Sequence, residues 1–202
     1  MDIDPKDLIE QARSATELKE ASTARLNATV AITVAALATF MGICKVKDDN
    51  ITQAMQQAQS DKLDHWAYYQ ARNLRQEIAE ATLTQIALTR PASTDPKAPD
   101  YERAIVKYQA LAKEQAQKKD AMKAAAEQDQ KNYDALNYRD DQFDLSDALL
   151  AIAIAMLAVT ALTGMWALYW TALVPTGFGV LMGVAGLAAL PIHPDALIKL
   201  LS

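Results

Sequence analysis

Six aspartates hold the positions in this sequence where chemistry is easiest to place. Asp48 and Asp49 follow one uncharged run, and Asp140, Asp141, Asp144 and Asp147 precede another. Carboxylates gathered at the edge of apolar surface attract cations and suit hard divalent ions. Lys45, Lys47 and Arg139 belong to the same stretches. The plain reading is therefore ion pairing within a solvated acidic collar. The sharper one is a ring of carboxylates, built by several copies, that draws cations to a pore or holds a divalent ion. Against a pore, residues 27–44 and 148–190 carry no charged side chain, the usual mark of an ion path.

A second constellation is aromatic and basic. Trp66 and Tyr69, beside Tyr68, precede Arg72 and Arg75 by one to two helical turns. Trp66, Tyr69, Arg72 and Arg75 are a candidate docking surface for a protein partner, or plain packing between helices. A third is a run of small residues, Gly179, Gly183 and Gly186, on which another helix can approach closely.

Beyond these, reactive groups are sparse. His65 and His193 stand far apart, and no nucleophile elbow, phosphate loop, zinc-protease pair or dinucleotide fingerprint occurs. No enzyme is expected, and no catalytic, cofactor-binding or metal-ligating residue is assigned. Cys44 is the one cysteine, so no internal disulfide can form. It reads as a small apolar residue ending a hydrophobic run, or as an acylation site beside a membrane. A net charge of -5 without a basic block excludes a nucleic-acid partner.

The elements that position these groups follow from how apolar and polar residues are sorted into blocks. Residues 1–26 open with Asp4, Pro5 and Asp7, a helix start, and continue with Leu8, Ala12, Ala15 and Leu18 at helical spacing. They predict an amphipathic N-terminal helix. Residues 27–44 are close to the roughly 20 apolar residues that span a bilayer core of about 30 Å, and are read as a first transmembrane helix. Residues 148–190 suffice for a second and third. Trp166, Tyr169, Trp170 and the following Val174-Pro175-Thr176-Gly177 place the reversal between them near Pro175. A C-terminal tail, residues 191–202, follows.

Between the first and second spans lie residues 45–147, polar but helical in pattern. Three prolines within residues 91–99 break the helix there. On the first arm, Ala67, Ala71, Leu74, Ile78, Ala81, Gln85 and Leu88 alternate by four and three, out of phase with Ile51, Met55 and Ala58. That predicts a register slip near Asp61 and Lys62. On the second arm the seam runs from Tyr101 through Tyr108, Gln115, Met122, Asp129 and Leu136 to Phe143. Two arms of matched length, each rising on the order of 65–70 Å, describe a long antiparallel coiled-coil hairpin with its tip at residues 91–99. Its alanine-rich seams favour self-association, which would bury more surface. The fold class is thus an all-α membrane protein: three transmembrane helices with the hairpin between the first and second.

The run Ile43-Cys-Lys-Val-Lys-Asp-Asp-Asn50, continued by Gln53-Ala-Met-Gln56, Trp66-x-x-Tyr-Gln-Ala-Arg72 and Arg139-Asp-Asp-Gln-Phe-Asp144, resembles a family of bacterial membrane proteins known only as a domain of unknown function, number 4337. The resemblance covers most of the chain. It implies a bacterial inner-membrane setting and the same layout, and offers no catalytic residue to carry over. Lys45, Lys47, Arg139 and Lys199 flank the spans on the hairpin side, against Lys19 and Arg25 opposite, so the hairpin is expected to be cytoplasmic. The function expected is that of a non-enzymatic, membrane-anchored, homo-oligomeric scaffold or partner-binding assembly. The alternative is a channel or transport-related assembly with the acidic collar at the membrane surface. The partners expected are membrane lipid, further copies of the chain and a protein docking on the hairpin.

Overall fold

The computed structural model describes residues 5–192 of the chain. Asp4, His193 and Lys199 therefore lie outside the described residues, as do the side chains of Leu8, Ala12 and Ala15. The described residues form three α-helices and no strand: α1 (Pro5–Thr89), α2 (Ala98–Thr163) and α3 (Trp166–Ala188). Residues 5–26 of the N-terminal segment and the run 27–44, read above as separate, are joined without a break in α1. No proline interrupts the chain between Lys6 and Arg90, and Gly42 is its one glycine there, too little to end a helix. Three of the helices are long and apolar enough to cross a membrane.

The chain divides into two compact units. One comprises Met1–Thr52 with Asn137–Ser202, the other Gln53–Leu136. In the first, Leu26, Val30 and Leu37 of α1, Leu150, Ala153 and Leu157 of α2 and Ala172 of α3 form a shared core. Phe40, Tyr169 and Val180 pack against it.

The reversal between the two C-terminal helices is not at Pro175. It is at Gly164, with a φ of 67°, a left-handed conformation that costs a residue with a side chain roughly 1–2 kcal/mol. The Gly164 N–H donates to the Thr160 carbonyl at 2.9 Å, closing α2, and Met165 caps α3. Pro175 sits inside α3. A long apolar helix supported by neighbours tolerates the missing N–H, and the Thr171 and Thr176 hydroxyls donate to the carbonyls of Ala167 and Ala172 at 2.9 and 2.8 Å. The aromatic trio consequently opens α3. Trp166, Tyr169 and Trp170 contact one another edge to face at 5.8 and 5.7 Å between ring centroids.

In the second unit the break falls at residues 90–97, where Lys97 N–H donates to the Asp95 carboxylate at 2.8 Å and Ala98 N–H to the Asp95 carbonyl at 3.0 Å. Side-chain bonds between α1 and α2 pair rising numbers on one helix with falling numbers on the other. Lys62 reaches Gln130 at 2.9 Å, His65 meets Asp129 at 2.6 Å, and Arg72 reaches Gln115 at 3.1 Å. Arg90 pairs with Glu102.

The α2 stripe facing α1 follows the spacing expected, from Tyr101 through Gln115 and Ala126 to Phe143. The α1 stripe does not. It continues from Met55 and Ala58 through Lys62, His65, Tyr69, Arg72, Gln76, Ala79 and Leu83 to Ile86, in one unbroken alternation of four and three. There is no slip at Asp61 and Lys62. The apolar set chosen from sequence faces outward, with Leu74 58%, Ile78 56% and Leu88 82% exposed. The physical reason lies on α2: Gln115 and Asp129 sit in its inner stripe and require hydrogen-bonding partners, which Arg72 and His65 supply and leucines cannot.

Candidate functional site

The acidic layer belongs to the first unit, and α1 and α2 build it together. Asp48 follows Cys44 by one turn on the inner face of α1 and is only 6% exposed. Its Oδ2 accepts from Lys45 Nζ at 2.8 Å, while its Oδ1 is buried without a donor. Lys45 also lies 3.5 Å from the exposed Asp49, and its ammonium is held charged by the Asp48 hydrogen bond. One turn beyond, Thr52 donates to Asp140 Oδ1 at 3.3 Å. Asn137 donates to Asp141 at 3.3 Å.

Partial burial pushes the Asp140 carboxyl up to about 6, with help from the neighbouring Asp48 and Asp144 carboxylates. Loss of solvation also raises Asp144, reinforced by the charges of Asp48 and Asp141 and opposed by Lys45. Asp147 is raised for the same first reason, again against Lys45. Thus Asp48, Asp140, Asp141, Asp144 and Asp147 form one electrostatic group, and among the described residues Asp49 pairs with Lys45. Among the described residues, no group of three or more His, Cys, Asp or Glu side chains could hold a metal ion. Cys44 is buried.

Arg139 is not spent on the acids. Its Nη2 and Nε donate to the Gly186 carbonyl at 2.9 and 3.3 Å. Gln142 Nε2 donates to the carbonyls of Leu190 and Ile192 at 2.8 and 2.6 Å, and Ser146 Oγ to that of Gly179 at 2.8 Å. The last carbonyls of a helix lack ladder donors and carry partial negative charge. α3 has no basic residue in its last turn, so Arg139 of α2 brings the missing charge and a donor to the Gly186 carbonyl there. From the same face of α2, Gln142 holds the chain just beyond the helix and Ser146 bonds its middle. The signal for this face was in the sequence as polar residues at 139, 142 and 146, spaced by three and four where the chain turns apolar.

Gly179, Gly183 and Gly186 face the other two helices of this unit. A Cβ at Gly179 would lie 2.8 Å from Leu150, one at Gly183 2.7 Å from Phe40 and 2.8 Å from Ser146 Oγ, and one at Gly186 2.8 Å from Phe143. The stripe lets α3 approach within the single chain.

The aromatic and basic set in the second unit is split. Trp66 and Tyr69 stack edge to face at 5.3 Å. Arg72 is drawn to Gln115 in the inner stripe, whereas Arg75 is exposed. His65 pairs with Asp129 at 2.6 Å across the two helices of this unit. Its partner is 64 positions away, which no local pattern reveals.

Neither the curated proteins nor the solved structures include one that matches this chain. A family model described as a domain of unknown function (DUF4337) matches residues 26–189, and the chain belongs to that family.

Proposed function

We propose that the protein is a non-enzymatic membrane anchor whose second unit is a coiled-coil hairpin that self-associates, presenting a scaffold or partner-binding surface. The observation that carries this reading is the outward stripe of α1. Its inner stripe is already committed to α2, yet Ala67, Ala71, Leu74, Ile78, Ala81, Gln85 and Leu88 repeat the same four–three spacing on exposed surface. With Ala71, Ile78 and Gln85 at a positions, Ala67, Leu74, Ala81 and Leu88 fall at d. Ile at a with Leu at d favours two parallel strands, and a polar residue at a fixes register. Parallel is also the sense available to copies anchored in one membrane. Leu63 and Tyr68, both exposed, then flank the seam at g and e, where they meet across the pair.

The membrane reading is supported by the three apolar helices and by large apolar side chains on their outer faces, such as Ile32, Leu162, Trp170 and Phe178. Lipid is the partner such surfaces fit. Lys45, Lys47 and Arg139 favour a cytoplasmic hairpin in a bacterial inner membrane.

The test is the mass of the detergent-solubilised chain. The wild type should run as a multimer, and the Leu74→Lys, Ile78→Lys double variant as a single chain with unchanged helicity. A wild type that is monomeric at all concentrations sinks the reading. A second reading, a channel or transport-related assembly, is favoured by one observation, the buried and unpaired Asp48 oxygen in the acidic layer. It requires ion flux in liposomes that falls in Asp144→Asn and Asp147→Asn.

A further inference from the structure

We infer that Asp48 and Asp140 form a proton-binding site, holding one proton between their two carboxyl groups at the contact of α1 with α2. The inference concerns the first unit and does not rest on self-association.

Asp48 poses the problem. A buried carboxylate oxygen without a donor is costly, and Asp48 Oδ1 is such an atom in a residue only 6% exposed. The carboxyl brought beside it by the facing helix is that of Asp140, whose Oδ1 accepts at 3.3 Å from Thr52, one turn beyond Asp48 on α1. Two ionised carboxylates cannot bond each other, because both only accept. One proton resolves both difficulties, because a protonated Asp140 becomes a donor that the Asp48 carboxylate can accept from. Like charges in close quarters favour sharing a proton over double ionisation.

The surroundings point the same way. From α2, Asp144 and Asp147 add negative charge toward Asp48, and Asp141 adds to it through Asp144. From α1 come the Cys44 thiol, Asp49 and one cation, Lys45, which occupies the other oxygen of Asp48 and is itself largely exposed. Arg139 is turned to the end of α3. The described part of α3 carries no charged residue. Thr52 donates to Asp140 Oδ1, fixing that carboxyl in place. The raised Asp140 carboxyl is consistent with uptake as the pH falls through about 6.

The experiment is an infrared titration of the full chain in detergent or nanodiscs, following the protonated-carboxyl band in light and heavy water. The wild type should show a carboxyl titrating near pH 6. In Asp140→Asn that component is lost. In Asp48→Asn its midpoint falls by about a unit or more toward ordinary carboxylates, and in Asp147→Asn it moves less. A wild type without any carboxyl titrating above about pH 5 overturns the proposal with no variant needed. So does an Asp48→Asn protein, helical by circular dichroism, that keeps the wild-type midpoint.

Discussion

At Asp140 the folded chain holds a proton more tightly than the unfolded chain does, because its carboxyl rises from 3.8 to about 6. The native state therefore binds more protons across that interval, and stability falls as pH rises through it. The contribution is fully present below about pH 4 and gone above about 6. Asp140→Asn removes this slope and should raise stability at pH 7 by roughly 1 kcal/mol once solvent screening is allowed for. Thermal denaturation at pH 4.5 and pH 7.5 checks it: the variant's gain should be confined to the higher pH. Gly183 tests packing at the same scale. Its added Cβ would fall 2.7 Å from the Phe40 ring, so Gly183→Ala should cost about 1–3 kcal/mol, whereas Gly42→Ala, with nothing within 4 Å, should stabilise slightly. A chain equally tolerant of both would contradict the close approach of α3.

Individual elements turn on backbone chemistry. Gly164 carries the reversal between α2 and α3 with a φ of 67°, so Gly164→Ala should lower stability by about 1 kcal/mol. Pro175→Ala should leave the reversal in place and lose no stability, because it restores a ladder donor inside α3. If Pro175→Ala instead proved the more damaging, the turn would have been assigned to the wrong residue. Proline was the weaker guide here for a physical reason. Its effect depends on whether neighbours support the interrupted helix, whereas a left-handed φ is a local requirement. The break at residues 90–97 was legible from Pro91 and Pro96, which cannot continue a helix, whereas Pro99 fits the first turn of α2. The α2 stripe was legible as well, because its large apolar and aromatic side chains fall in a single phase.

For the molecule as a whole, α1 carries two stripes of heptad spacing that should answer differently to substitution. Ala79 is fully buried in the inner one, and Ala79→Asp should cost about 2 kcal/mol or more by burying an unpaired charge. The Leu74→Lys, Ile78→Lys pair should leave thermal stability of the single chain nearly unchanged and act on assembly mass alone. Reversal of that pattern would mean that the inner and outer stripes have been exchanged. The amino-acid sequence by itself determined that the chain is helical, where apolar runs 27–44 and 148–190 lie, and that six aspartates border them. Those properties are local, set by propensity, proline and the sorting of charge. Tertiary structure alone decided which α1 stripe turns inward, because the choice depends on polar groups of α2 far along the chain. It also decided that Arg139 caps α3 while Asp48 is left facing Asp140, since each outcome rests on which donor reaches which buried acceptor.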